Sequence, residues 1–250
     1  MSRIVVASAL AVLSIWSLLA YAQNAREDPN AAAPFGTPVD DERVYTHAQF
    51  DEFEGRFGDG NSSFRWDGEA WIGTDANRLW LKSEGFANAG ITEDGQHELL
   101  YARPISTYFD LQAGARYDLD SAAGRGWAAL GVEGLAPQFF KVSFTAYVSD
   151  AGHVAAKFTG SYEVMLTQRL ILEPLVELDC YSEPDPGRQI GAGLSELDTG
   201  LRLRYEVVRK FAPYFGVSFN RKFRSTATFV QAHGGPSDAL KLVAGLRMWL

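Results

Sequence analysis

The chain has 250 residues, of which 46% are hydrophobic and 22% charged, which is enough for one folded unit with a sizeable core. Its formal net charge of −8 argues against a nucleic-acid-binding protein, because such proteins present positive charge to phosphate. The single cysteine, Cys180, excludes an intramolecular disulfide.

Residues 1–22 have the composition of a secretory signal peptide. Arg3 supplies the positive charge, residues 4–20 are apolar, and Ala-Tyr-Ala at 20–22 fits an A-x-A cleavage site. An uncleaved membrane anchor is the alternative for this segment. Residues 23–42 are rich in Ala, Pro and Asp without periodicity, which predicts a flexible acidic tail in the periplasm.

From residue 45 onward, segments of alternating apolar and polar residues follow one another to residue 250. Alternation with a period of two is typical of β-strands, and no long window shows a helical period. The twelve predicted strands are 45–57, 63–73, 78–86, 96–104, 107–118, 126–135, 138–149, 153–165, 168–181, 195–209, 212–224 and 239–250.

The two faces of these strands differ sharply in polarity. In the strand at 168–181, Leu172 and Leu178 alternate with Glu173, Glu177 and Asp179. A soluble sandwich would bury such leucines, whereas an outer-membrane barrel turns them toward lipid and the carboxylates toward a polar lumen. Further charges predicted to line that lumen are Glu133, Lys141, Lys157, Asp198, Arg202, Arg204 and Glu206.

The lengths of the connections favour the barrel. Every second connection is short, and the long or glycine-rich ones, among them 58–62, 87–95, 182–194 and 225–238, fall on the other side. Short turns on one rim and longer loops on the other are typical of bacterial outer-membrane barrels. We therefore predict an all-β, transmembrane antiparallel outer-membrane β-barrel of about 12 strands over residues 43–250, surrounded by outer-membrane lipid, with both termini on the periplasmic side.

Two groups of side chains are candidate metal ligands. The first consists of His97, His153 and His233, which the strand order places toward the long-loop rim. The second consists of the lumenal acids Glu163, Glu173, Glu177 and Asp179. The alternatives are solvated loop histidines for the first group and ion pairs with Arg202, Arg204 and Lys157 for the second.

Catalysis is not predicted, because no histidine has the sequence context of a lipid-hydrolysing barrel enzyme. A barrel enzyme acting on lipid and a general passive pore remain the alternative functions.

Six stretches carry a resemblance to a known family: WLKSEGF (80–86), ELLYARPISTYFDLQAGARYD (98–118), GWAALGVEGLAPQFFKVSFTAYVSDAG (126–152), YEVMLTQRLILEPLVELDCY (162–181), GAGLSELDTGLRLRYEVVRKFAPYFGV (191–217) and VAGLRMWL (243–250). They resemble the copper resistance protein B family, in order and over nearly all of the chain after the signal. The resemblance implies an outer-membrane barrel that exports or sequesters copper ions, working with a periplasmic multicopper oxidase. Copper is implied by the resemblance and not by a ligand motif.

The sequence departs from that family in its N-terminal tail. Family members often carry a Met- and His-rich stretch there, with ligands that copper prefers. Residues 23–42 contain neither Met nor His. We therefore predict that copper handling depends on the lumenal acids and not on the tail.

Overall fold

The computed structural model describes residues 43–58, 61–88, 91–119 and 124–250, so the predicted signal peptide and acidic tail lie outside the described residues. These residues contain thirteen strands and one α-helix, α1 (Arg224–Ala232). The strands are β1 (Tyr45–Gly58), β2 (Asn61–Gly73), β3 (Arg78–Asn88), β4 (Ile91–Pro104), β5 (Phe109–Asp118), β6 (Arg125–Ala136), β7 (Phe140–Ser149), β8 (Val154–Ser161), β9 (Val164–Met165), β10 (Leu170–Tyr181), β11 (Gly193–Tyr205), β12 (Phe211–Lys222) and β13 (Asp238–Trp249).

The strands form a closed antiparallel sheet. Strand β13 pairs with β12 on one side and with β1 on the other, so the first and last strands complete the ring. Both β8 and β9 pair with β10 and together make one wall strand, which gives twelve wall strands in the described part of the chain. The predicted all-β barrel of about twelve strands is confirmed. Closure leaves no exposed sheet edge.

The interruption between β8 and β9 lies opposite Pro174. Proline has no N–H to donate to the neighbouring strand, although its carbonyl accepts a hydrogen bond from the Tyr162 N–H at 3.2 Å. The register is the same on both sides of the gap, with Leu172 opposite Val164 and Leu175 opposite Ser161. The proline therefore removes one ladder donor without exchanging the inner and outer faces of the strand.

Polarity is inverted relative to a soluble protein. Large apolar side chains point outward, and Phe144 is 52%, Leu201 42% and Leu242 65% exposed. Charged side chains point inward, and Glu54 and Arg204 are almost fully buried. This is the arrangement predicted for a lipid-facing outer wall and a polar lumen. No helix among the described residues has the length and apolar character needed to cross a membrane.

Some connections differ from those predicted. Strands β1 and β2 reach Gly58 and Asn61, and β3 and β4 reach Asn88 and Ile91, so the loops expected at 58–62 and 87–95 are mostly strand. Cross-strand pairing persists up to these hairpins, and the longest connections are 182–192 and 223–237. The rims are therefore less unequal than the sequence predicts.

The 223–237 connection contains α1, where the sequence predicted only a loop. Thr226 is buried on this helix, and its Oγ1 accepts a hydrogen bond from the Gly191 N–H at 2.8 Å. The hydroxyls of Ser195 and Thr226 are 2.7 Å apart. A side chain at Gly191 would collide with Ser225, so the close approach of the two connections requires glycine. Helix α1 is thereby fixed against the 182–192 connection at the long-loop rim.

Candidate functional site

A continuous chain of ion pairs crosses the middle of the lumen. We call it the crossbar, and its nine members are Glu52, Glu54, Arg56, Arg65, Glu84, Lys157, Glu177, Asp198 and Arg202. Most of these side chains are buried. Five carboxylates and four cations leave the crossbar close to neutral.

Two contacts of the crossbar join nearly opposite walls. Arg65 Nη2 on β2 lies 2.9 Å from Glu177 Oε2 on β10, and Lys157 on β8 contacts Glu84 on β3. In each case the two strands are five positions apart around a ring of twelve. Charges from facing walls therefore meet at the centre of the barrel, and the lumen at this level is filled by side chains.

The arginines of the crossbar each bind more than one carboxylate. Arg202 donates from Nε to Glu54 Oε2 at 3.0 Å and from Nη2 to Glu54 Oε1 at 2.9 Å. Arg56 donates from Nε to Glu54 at 2.7 Å and from Nη1 to Asp198 at 2.6 Å. The planar fork of arginine suits such paired contacts, which fix geometry as well as charge.

A polar cavity of about 380 Å³ lies between the crossbar and the short-turn rim. Gly134 and Leu135 line it next to the turn at 137–139, which identifies the rim. Carboxylates outnumber cations along its wall. The eight acids are Asp51, Glu52, Asp67, Glu69, Glu84, Glu98, Glu133 and Glu173, and the four cations are Lys82, Lys141, Lys157 and Arg202. A second pocket of about 300 Å³ shares Glu133 with it and is lined by the turn residues 106–108.

Two of the cavity acids differ from the rest. Asp67 and Glu69 on β2 have no hydrogen bond or ion pair within the described part of the chain. Asp67 is the direct cross-strand neighbour of Glu52 on β1 and of Glu84 on β3. Three adjacent strands thus present carboxylates side by side, and the resulting negative potential favours a mobile cation.

Two of the acids predicted as metal ligands share one arginine. Glu173 Oε2 accepts a hydrogen bond from Arg204 Nη1 at 2.6 Å, and Glu163 Oε1 lies 3.2 Å from Arg204 Nη2. Glu163 also accepts from Lys141 at 2.9 Å and lies 3.4 Å from Arg247. Neutralising both acids would therefore leave the buried Arg204 without a carboxylate partner among the described residues.

The other predicted lumen residues occupy several levels of the barrel. Glu177 belongs to the crossbar, and Asp179 lies opposite Lys157 in the pairing of β8 with β10. Glu133 contacts Lys82 near the short-turn rim. Glu206 follows the end of β11 and lies in the turn, where its N–H donates to the Arg169 carbonyl, because β11 ends before the predicted residue 209.

Of the three candidate histidines, His153 and His233 lie toward the long-loop rim, whereas His97 lies midway along β4. His97 lies on β4 between the inward-facing Gln96 and Glu98 and belongs to the outer face. His153 Nε2 is 3.5 Å from Glu183. His233 directly follows α1, and its Nδ1 is 2.8 Å from the carbonyl of Phe229 in that helix. No three or more His, Cys, Asp or Glu side chains in the described ranges are grouped to hold a metal ion.

Sequence reasoning missed the acids and arginines of the first two strands. A β-bulge between Phe50 and Glu52 shifts the alternation in β1, so that Glu52, Glu54 and Arg56 face inward while Phe53 faces out. The signal that could have found them is the spacing of two residues between these three charges. Asp67 and Glu69 follow the same spacing on β2.

A closed antiparallel barrel with an apolar outer face and a charged lumen is a β-barrel of the outer-membrane class. The NanC porin shares this fold with a TM-score of 0.50 at 10% identity, over 82% of this chain and 99% of the porin.

Residues 44–250 match the family described as copper resistance protein B precursor. Copper resistance protein B of Escherichia coli is 38% identical over 226 residues, covering 89% of this chain and 76% of that protein. A homolog from Pseudomonas syringae pv. tomato is 39% identical over 214 residues, covering 86% and 73%. The chain belongs to the copper resistance protein B family, which confirms the resemblance found in the sequence.

Proposed function

We propose that this barrel sits in the outer membrane and contributes to copper resistance by holding copper ions weakly in its periplasm-facing cavity. The observation that carries the proposal is the wall of that cavity, where eight carboxylates face four cations. Copper as the cargo is supported by the family, whose matched members are named for copper resistance. The role is that of a non-enzymatic ion-handling protein.

The crossbar favours sequestration over free conduction. An open pore needs a continuous water-filled path, and the ion pairs between facing walls occupy the centre of this lumen. The carboxylates of the cavity are spread over several strands and do not form a chelating group. Such a set binds a cation weakly and at many positions, which allows rapid exchange with the periplasm.

A periplasmic multicopper oxidase remains the proposed partner. The short-turn rim, where the cavity and the second pocket lie, is the rim that faces the periplasm when both termini are on that side. An oxidase docked there would meet ions held in the cavity.

The proposal is tested by neutralising the two unpaired acids together, as Asp67→Asn/Glu69→Gln. Neither side chain has an ion pair to lose among the described residues, so the barrel should remain folded while the cavity loses two carboxyl groups. We expect the purified variant to bind Cu²⁺ about tenfold more weakly in equilibrium dialysis. Cells that carry it should hold less copper and tolerate less copper in the medium.

The matched control removes two exposed acids away from the cavity, as Asp75→Asn/Glu183→Gln. Bile-salt sensitivity, measured at equal amounts of folded barrel, reports on envelope integrity. If copper tolerance is unchanged in the cavity variant, or falls only together with bile-salt tolerance, the proposed function is wrong.

A further inference from the structure

Lys157 occupies an unusual position in the crossbar. Its ammonium contacts Glu84 on the far wall and lies 3.1 Å from Glu177 Oε1 on the neighbouring strand β10. Within the described residues Glu84 has no other ion pair or hydrogen bond, whereas Glu177 is also bound by Arg65. A single flexible side chain thus neutralises a carboxylate that comes from the opposite side of the barrel.

Lys157 and Glu84 also stand at the inner end of the acidic cavity. Both line it, and Glu84 is the cross-strand neighbour of Asp67, the acid without a partner. A cation that enters from the short-turn rim and passes along Asp67 therefore meets Glu84 next. The position beside the Glu84 carboxylate is already occupied by the Lys157 ammonium.

The chemistry of this cation differs from that of the three arginines. Arg56, Arg65 and Arg202 hold their carboxylates through two or more nitrogens each. A lysine ammonium is a compact point charge on a four-carbon stem with no fork to fix its geometry. It can leave a carboxylate pair and be replaced by another compact cation at lower cost than an arginine can.

We propose that Glu84 and Glu177 form a site for a divalent cation between facing walls, and that Lys157 is a tethered competitor which keeps its affinity low. The site takes a cation of the Cu²⁺ class through carboxylate oxygens. When the cation displaces the ammonium, the ion pair between Lys157 and Glu84 breaks and the crossbar opens on that side. This inference rests on the proposed function, since it requires that cations reach the cavity.

The test measures Cu²⁺ binding to the purified, refolded full-length barrel by equilibrium dialysis. Lys157→Met keeps the length of the apolar stem and removes the charge, and we expect it to bind Cu²⁺ about tenfold more tightly than wild type. Lys157→Met/Glu84→Gln removes the freed carboxylate as well and should lose that gain. Lys222→Met is the matched control, because it removes a lysine that pairs with Glu196 outside the cavity.

Each outcome has a defined meaning. Equal or weaker binding by folded Lys157→Met, or the same gain in Lys222→Met, overturns the inference. If Asp67→Asn/Glu69→Gln weakens binding while Lys157→Met does not strengthen it, the cavity proposal stands and this one fails. If the wild type does not bind Cu²⁺ but Lys157→Met does, the cavity proposal fails and the competition between Lys157 and the metal stands.

Folding is checked by the heat-dependent shift in gel migration. Should Lys157→Met fail to fold, Lys157→Arg keeps the charge but holds Glu84 and Glu177 through a fork. We expect at least threefold weaker Cu²⁺ binding from that variant, as estimated roughly from the extra charge-assisted hydrogen bonds. Unchanged Cu²⁺ binding in Lys157→Arg would contradict the competition between lysine and metal.

Discussion

Glu54 on β1 and Arg202 on β11 form a buried two-pronged ion pair, with donor–acceptor distances of 3.0 and 2.9 Å. The two strands are separated by β12 and β13, so the pair spans part of the lumen. Glu54 is fully buried and Arg202 is 3% exposed. Neither group can exchange its partner for bulk water.

Removing one member of this pair should be costly. Arg202→Met leaves Glu54 buried with Arg56 as its remaining cation among the described residues, and we expect the free energy of unfolding to fall by about 3–5 kcal/mol. Equilibrium unfolding in urea, with the barrel in lipid vesicles, measures the change. Arg221→Met is the control, because Arg221 and Asp238 form an exposed pair whose loss should cost roughly 0–1 kcal/mol. Similar losses in the two variants would contradict the importance of burial.

Two adjacent residues on β7 test which face of the barrel wall points to lipid and which points to the lumen. Phe144 is 52% exposed on the outer face, whereas Ser143 lines the acidic cavity. Phe144→Arg should block assembly, since a charge facing lipid near the midplane costs about 2–4 kcal/mol. Ser143→Arg should assemble, because the new cation faces carboxylates. The measurement is the yield of membrane-inserted barrel that shows the heat-dependent shift in gel migration. Equal yields of the two variants would show that the inner and outer faces are wrongly assigned.

The tail at 23–42 should matter little for copper. It has no Met or His, so its deletion, with the signal kept in place, should leave copper tolerance within about twofold of wild type. Growth across a copper series measures this. A large loss of tolerance with normal amounts of folded barrel would place copper handling in the tail.

A carboxylate of the 182–192 connection, that of Asp185, pairs with an arginine of β6. Asp185 Oδ2 lies 3.1 Å from Arg125 and 3.1 Å from Arg188. Asp185→Asn should release this connection and make it more sensitive to protease added outside intact cells, because Arg125 and Arg188 each lose one contact with a carboxylate. Glu183 lies in the same connection but is exposed, so Glu183→Gln should not increase the sensitivity to protease. Equal cleavage of the two variants would show that Asp185 does not hold the connection in place.

The wall of the barrel was predictable from sequence because strand periodicity is a local property. Leu172 and Glu173, or Phe144 and Ser143, fall on opposite faces whatever the partner strand is. The bulge after Phe50 was not predictable in this way, since a shift of one residue exchanges inside and outside. The helix α1 was missed because its nine residues form a short amphipathic stretch held by contacts with Gly191 and Ser195.

The pairs between distant strands of the crossbar could not be predicted from the sequence, although pairing of Glu177 with Lys157 was among the alternatives. Which carboxylate meets Arg65 depends on the stagger of strands around the ring, and Glu177 lies 112 positions away in the chain. Arg202 and Lys157 were recognised as lumenal charges, but their partners Glu54 and Glu84 were not. Composition identifies which residues can pair, and only the closed barrel determines which of them do.

The long reach of these pairs has a consequence for rates. Arg202 and Glu54 are 148 positions apart, and Arg56 and Asp198 are 142 apart, so the crossbar can form only when the two ends of the sheet have met. Contacts that form this late do not speed assembly. They must be broken before the barrel can open, so they slow its loss. The charges that fill the lumen should therefore prolong the lifetime of each inserted barrel, independently of any ion it holds.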